Sequence, residues 1–247
     1  MDRMIYVGMG GARHALEQQA AVAHNMANVA TPGFRAQINS LRAVPVDGEA
    51  LPTRAHVVAA TVGADFDAGP VTHTGRALDV AIRGDGWLAV QAGAGEAYTR
   101  AGSLQLGANG EVLTQDSRPV LGDAGALVVP PGSEVAIGSD GLVTARAPGA
   151  APSETAAVGR LRLVNPRTAD LVRGDDGLFR MKPGLPAPLP DPAVAVLGGA
   201  VEGSNVNPAE VLVQMIASAR HFEMQMKTVR TADDNAQAAN RLLSAGA

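Results

Sequence analysis

Five histidines, His14, His24, His56, His73 and His221, are the side chains best suited to ligate a metal or carry a proton. Their spacing suits neither task. No HExxH or other paired-ligand interval joins them, and they read as surface or helix-flank residues. Adjacent carboxylates occur at Asp175-Asp176 and Asp233-Asp234. General acid–base chemistry needs a further converging group, and none is visible, so these pairs read as a turn and a solvated helix face. Gly93-Ala94-Gly95 is followed by neither a helix nor Lys-Ser/Thr, which makes it a loop and not a phosphate cradle. No Gly-x-Ser-x-Gly elbow is present. Trp87, behind Gly84-Asp85-Gly86, suits sheet packing better than ligand stacking. Met215, Met224 and Met226 read as flexible apolar filling rather than a promiscuous groove. The reading is therefore of a chain with no catalytic residues, no cofactor and no metal, hence not an enzyme.

The bulk properties agree. The chain has 247 residues and a formal net charge of −4, without the basic surplus of a nucleic-acid binder. Apolar residues make up 46% but aromatics only 3%, so the core must be built from Ala, Val and Leu. The 29 glycines and 16 prolines favour a turn-rich β middle. Cysteine is absent, which removes disulfides and thiolate chemistry. The longest notable apolar stretch, Val194–Val201, has eight residues and is far short of a membrane span. At the N-terminus Arg13, His14, Glu17, Gln18 and Gln19 interrupt any h-region, so no cleaved signal peptide is expected.

Three parts would position these residues. Asp2–Val29 reads as one amphipathic helix, with Ile5, Met9, Ala12, Leu16, Gln19, Ala23 and Met26 in alternating steps of four and three. Thr31-Pro32-Gly33 ends it, because the residue before proline is pushed out of the α region and glycine permits the following turn. Pro208–Leu243 repeats the pattern through Leu212, Met215, Ala219, Phe222, Met226, Val229, Asp233, Ala236, Asn240 and Leu243. Asn207 is its N-cap candidate, Pro208 suits the first turn, and Glu210 is placed to close a capping box. Such a helix spans about 54 Å at roughly 1.5 Å per residue. A lone amphipathic helix is marginal in water, so the two ends are expected to pair.

The middle reads as all-β. Leu78-Asp79-Val80-Ala81-Ile82 and Arg160-Leu161-Arg162-Leu163 alternate with period two. Asp85-Gly86, Asn109-Gly110, Asp140-Gly141 and Asp176-Gly177 supply turns. Pro148, Pro152 and the run Pro183, Pro186, Pro188, Pro190, Pro192 mark connections outside any ladder. Within the ambiguous stretch Arg35–Pro70, Val57–Val62 reads as a strand and the remainder as an extended loop.

Two stretches are more particular. Asn25-Met26-Ala27-Asn28-Val29-Ala30-Thr31-Pro32-Gly33-Phe34 leaves the first helix, with Asn25 and Asn28 able to bond main-chain groups and Phe34 anchoring the chain. Gly203-Ser204-Asn205-Val206-Asn207-Pro208 enters the last. Together they resemble the rod and hook family of flagellar axial proteins, in its Asn-x-x-Asn-x-x-Thr-Pro-Gly-Phe helix exit and its Ser-Asn-Val-Asn-Pro entry. Leu78–Ile82, Gly84-Asp85-Gly86-Trp87, Tyr98-Thr99-Arg100-Ala101-Gly102 and Asn109-Gly110 resemble the family's β-domain opening, in the same order. The opening Met1-Asp2-Arg3-Met4-Ile5-Tyr6-Val7 and the ending Thr231-Ala232-Asp233-Asp234-Asn235 resemble the proximal rod members. Trp87 stands where phenylalanine is usual.

The resemblance implies an α+β chain. Long N- and C-terminal helices (1–34 and 204–247) would pair as a coiled-coil-like domain, 35–70 would connect, and 71–203 would form an all-β domain. It implies a structural rod subunit polymerising around the export channel, in the basal body and periplasmic rod. The partners would be copies of itself, other rod proteins and the flagellar type III export apparatus, with no nucleic acid and no membrane insertion. Ile5, Met9, Leu16, Met26, Leu212, Met215, Phe222, Met226, Val229 and Leu243 would form the assembly seam. Alternatives are a distal rod subunit, a peripheral adaptor or surface protein, and an enzyme with a β-barrel core.

Overall fold

The computed structural model describes residues 2–45, 55–93, 95–151 and 154–245. Contacts divide the chain into two units, one drawn from Met1–Ala27, Gln37–Ala64 and Asn207–Ala247, the other from Asn28–Ala36 and Asp65–Val206. The chain therefore passes between units four times, at 27/28, 36/37, 64/65 and 206/207.

The first unit contains helix α1 (Asp2–Ala27), helix α2 (Pro208–Ala245) and the hairpin of β1 (Gln37–Pro45) and β2 (Ala55–Ala64). The hairpin pairs antiparallel from Gln37↔Ala64 to Pro45↔Ala55, with an irregularity between Ser40 and Leu41. It lies against α1, where Asn39 Nδ2 donates to the Glu17 carbonyl at 3.3 Å. The helices meet through small residues. A Cβ on Gly8 would stand 2.8 Å from Val229 Cγ2, and one on Gly11 would stand 2.8 Å from the Gln225 side chain. Gly8, Ala12, Ala15 and Val22 are buried on α1, and Val211, Ser218 and Ala232 on α2.

This corrects the expected fold class. Among the described residues there are only two α-helices, and they do not form a long coiled-coil-like domain. Knobs-into-holes packing would bury the large residues of the seam, yet Met9 is 56% exposed, Leu16 51% and Leu212 48%. The buried positions fall one residue earlier, at Gly8, Ala15 and Val211, where small or compact side chains allow close approach. The β-rich middle consists of several sheets, and the β1–β2 hairpin is grouped with the helices.

In the second unit a five-stranded antiparallel sheet runs in the order Leu163–Val164, Trp87–Ala92, Gly95–Thr99, Phe179–Met181, Leu171–Arg173. A three-stranded sheet joins Glu134–Ile137, Leu142–Arg146 and Thr155–Arg160. Short pairs complete it, among them Val80–Arg83 with Ala195–Gly198 and Val71–His73 with Ala200–Glu202. The core is aliphatic, as the composition requires: Leu88, Val90, Leu104, Val112, Val120 and Val143 are almost wholly buried. Val80, Ala81 and Ile82 are all buried, so that strand is covered on both faces instead of alternating. Trp87 packs on Phe179 with ring centroids 4.7 Å apart and edge-on to Phe66 at 6.0 Å. At the sheet edge, Pro190 bridges to Val164 and the Asp191 amide donates to the Leu163 carbonyl at 2.9 Å. A proline has no N–H to offer a further strand, so this cover blunts the edge.

The Asp175-Asp176 pair sits in the turn joining Leu171–Arg173 to Phe179–Met181. Asp176 accepts from Arg180 Nη1 at 2.8 Å and Nη2 at 2.6 Å, with Arg118 at 3.3 Å. The Arg180 hydrogen bonds hold its carboxyl at about 2, below the ordinary 3.8. A depressed pKa favours the ionised folded form, so its stabilisation is complete above about pH 4 and disappears as pH falls through 2. Asp176→Asn should cost about 1 kcal/mol near neutral pH, solvent screening included. The difference should vanish near pH 2, as read by urea unfolding at several pH values.

Candidate functional site

The helix-exit motif is organised by its asparagines. Asn25, buried on α1, pairs its amide with the Gln37 main chain in both directions: Nδ2 donates to the Gln37 carbonyl at 2.9 Å and Oδ1 accepts from its amide at 2.7 Å. Asn28 accepts twice from Thr31, main chain to main chain at 3.2 Å and Oδ1 from the hydroxyl at 3.1 Å. Pro32 is half-buried, and Gly33 turns the chain at φ +67°, where a Cβ would overlap the main chain of Arg100 and Ala101. The Gly33 amide donates to the Glu202 carbonyl at 2.8 Å. Phe34 is buried beneath the Arg173 guanidinium, 4.7 Å from its ring centroid.

The next residue carries the interaction that the motif alone does not reveal. Arg35 Nη2 donates to Glu202 Oε1 at 2.6 Å, while Arg100 Nε donates to Glu202 Oε2 at 2.8 Å. The three side chains are 2%, 5% and 1% exposed for Arg35, Arg100 and Glu202. Glu202 Oε1 also takes the Gly69 amide at 3.0 Å. Arg100 Nη1 donates to the carbonyls of Gly84 and Gly86, each at 2.8 Å. Burial pulls the Arg100 guanidinium below its ordinary range, and Glu202 works in the opposite direction. Burial lowers Arg173 as well, and its Nη1 donates to the Arg35 carbonyl at 3.0 Å. Removing Glu202 from such a cluster would strand both guanidiniums, which ordinarily costs about 3–5 kcal/mol.

Three residues on, Asn205 ties together segments that lead toward the other unit. Its Oδ1 accepts the Ala36 amide at 2.7 Å, and its Nδ2 donates to the carbonyls of Asp65 and Asp67, both at 3.1 Å. The Asp65 amide donates to the Ala36 carbonyl at 2.8 Å. Buried Ser204 accepts the Val206 amide at 3.2 Å. Asn207 caps α2 by accepting the Ala209 and Glu210 amides at 3.1 and 3.4 Å, and Pro208 is the first helical residue. Glu210 does not close the capping box; it accepts from Gln214 at 3.1 Å.

The seam residues fall on a different surface. Ile5, Met26, Met215, Phe222, Met226 and Val229 are half-buried, and Met9, Leu16 and Leu212 are exposed. Leu243 lies in α2, but its side chain is outside the described residues. Tyr6, Val213, Ile216, Met224 and Leu242 add large apolar side chains that are more than half exposed.

Among the described residues no three His, Cys, Asp or Glu side chains are grouped to hold a metal ion. A cavity of about 130 Å³ is bordered by Asp123, Asp140, Asp191 and Arg160, with Arg160 paired to Asp140 at 2.9 Å. Sequence reasoning missed Arg35 and Glu202. The available signals were an arginine directly after the phenylalanine anchor and a glutamate closing the Val194–Val201 apolar stretch.

Two family models match the chain: the flagellar hook protein FlgE/F/G D1 domain over residues 81–145, and the flagellar basal body rod FlgEFG protein C-terminal region over residues 197–242. The chain is 50% identical to the flagellar basal-body rod protein FlgF of Escherichia coli K12, over 99% of each chain. It is 50% identical to FlgF of Salmonella typhimurium over the same shares. It is 30% identical to the flagellar basal-body rod protein FlgG of Agrobacterium fabrum, over 90% of this chain and 92% of that one.

Because Gly33 has both a left-handed φ and main chain where a Cβ would go, Gly33→Ala should destabilise the second unit by on the order of 3 kcal/mol. Urea unfolding followed by Trp87 fluorescence reads the loss. Ala substituted at Gly93, which also has positive φ but open space around it, should cost only about 1 kcal/mol.

Proposed function

The chain belongs to the flagellar basal-body rod protein family, and we propose that it serves there as a proximal rod subunit, polymerising into the axial shaft around the export channel. The basal-body rod is a structural assembly, and the chain is a structural component of it. The observation that carries the proximal assignment is the 50% identity to FlgF over 99% of each chain, against 30% to FlgG.

The partners in this reading are further copies of the chain and other rod proteins, reached through apolar side chains on the two terminal helices. Met9, Leu16, Leu212 and Ile216 support it, because each leaves roughly half of its surface to solvent within a single chain. A heterologous contact that does not close generates a helical filament, the form a hollow shaft requires. The entry Ser204, Asn205, Asn207 and Pro208 and the exit Asn25, Asn28, Thr31, Pro32, Gly33 and Phe34 act in positioning, by fixing the local backbone where each helix begins or ends. Export would proceed through the flagellar type III apparatus without signal cleavage, to a periplasmic rod. No described helix is long and apolar enough to cross a membrane.

The experiment is electron microscopy of basal bodies from cells lacking the gene, complemented with the full chain, with Leu212→Asp or with Met9→Asp. The full chain should restore complete rods. Each variant should leave Trp87 fluorescence unchanged in the purified protein and yet give truncated or missing rods, with swimming lost. Complete rods without the gene contradict the rod role; normal rods with both variants contradict assembly through these helix faces.

A further inference from the structure

Residues 31–36 lie in the second unit without belonging to any strand that spans them, yet groups along most of their length are held. The Gly33 amide goes to the Glu202 carbonyl at 2.8 Å, the Phe34 carbonyl accepts the Asn205 amide at 3.3 Å, and Arg173 covers the Phe34 ring. Arg35 enters the Glu202 cluster, and Ala36 is held on both sides, by Asn205 Oδ1 at 2.7 Å and by the Asp65 amide at 2.8 Å. The segment is a strap laid over the unit, fastened by discrete polar contacts and one aromatic anchor.

We propose that this strap is releasable: it can leave the β-rich unit while the rest of that unit stays folded, and Glu202 is built to permit both states. The charges decide it. With the strap docked, two guanidiniums share one carboxylate, so the buried cluster carries one excess positive charge. With the strap withdrawn, Glu202 keeps the Arg100 Nε at 2.8 Å and the Gly69 amide at 3.0 Å, a one-to-one pair with each carboxylate oxygen still engaged. Release therefore leaves no bare buried carboxylate, the usual reason that breaking a buried ion pair is prohibitive. Arg35 itself favours release. Its Nε and Nη1 are buried and find no acceptor among the described residues, and water would satisfy both. Docking is restored by Phe34 burial and by Asn205, whose one side chain holds Ala36, Asp65 and Asp67 together. The strap runs directly into β1, so its release would free that connection without unfolding the β-rich core.

Amide exchange on the full-length protein tests this, with Gly33 as the strap reporter and Ala89 and Val120 as core reporters, bonded to the Arg162 and Val112 carbonyls. Gly33 should exchange through an opening that depends weakly on urea, while Ala89 and Val120 follow the unfolding reported by Trp87 fluorescence. Asn205→Ala leaves the acceptor of Gly33 untouched and should raise its exchange about tenfold, the loss of the one part-buried side-chain hydrogen bond that holds Ala36, with Ala89 unchanged. Gly33 exchanging only with Ala89 and Val120 in the wild-type chain would overturn the proposal. So would an Asn205→Ala chain that accelerates all three together or leaves Gly33 unchanged. Should that variant fail to fold, the urea dependence of the wild-type amides decides alone.

Discussion

One carboxylate, Glu202, is almost completely removed from water, and the arrangement of the β-rich unit around the N-terminal strap follows from how it is neutralised. A bare buried carboxylate would be untenable, so Arg100 is drawn from the strand region and Arg35 from a segment 167 residues away in sequence. Geometry then propagates. Gly33 must be a glycine because the strap crosses the Arg100 main chain on its way to Arg35. Asn205, three residues beyond Glu202, is thereby brought to Ala36 and Asp65, at two of the points where the chain passes between units. Apolar residues of similar volume could make as stable a core. The charged cluster adds specificity: only an arginine on this strap, in this register, completes it.

The helices show the complementary choice. Gly8, Gly11, Ala12 and Ala15 line the side of α1 that is closed or half-closed, and the larger Met9, Leu16 and Tyr6 point to solvent. For a protein working alone this would waste apolar surface, since burial of a Leu or Met stabilises by about 1.5–3 kcal/mol. For a chain in a family of rod proteins, the inversion is sensible. Small residues set a close intramolecular approach, and under the proposed assembly the large ones are the surface offered to neighbouring subunits.

Much of this was legible in the residues, and what was not has physical causes. The exit and entry motifs could be read because asparagine, proline and glycine encode local backbone geometry: Asn207 caps α2 and Gly33 adopts the left-handed turn. The two terminal helices carried clear periodicity, but ranking positions by hydrophobic size selected Met9, Leu16 and Leu212 over Gly8, Ala15 and Val211, and so predicted a coiled-coil-like pair that is not formed. Close approach is decided by what is absent from a side chain, which a hydrophobic pattern does not score. In the segment 35–70 only Val57–Val62 carries a strand signal and the remainder reads as loop; its described residues include a hairpin of nine and ten residues per strand. The Glu202 cluster was invisible because no local rule links Arg35 to a glutamate so distant in the chain.

Arg35 and Glu202 act as one energetic unit joining the N-terminal strap to the C-terminal end of the β-rich region. A double-mutant cycle measures it directly, with Arg35→Met, Glu202→Gln and the double variant unfolded in urea under Trp87 fluorescence. Strong coupling is expected: the double variant should be less destabilised than the sum of the singles by about 2 kcal/mol or more, because it no longer strands Arg35 opposite a neutral amide. Additivity within about 0.5 kcal/mol would contradict it, showing that the two residues contribute to the fold separately.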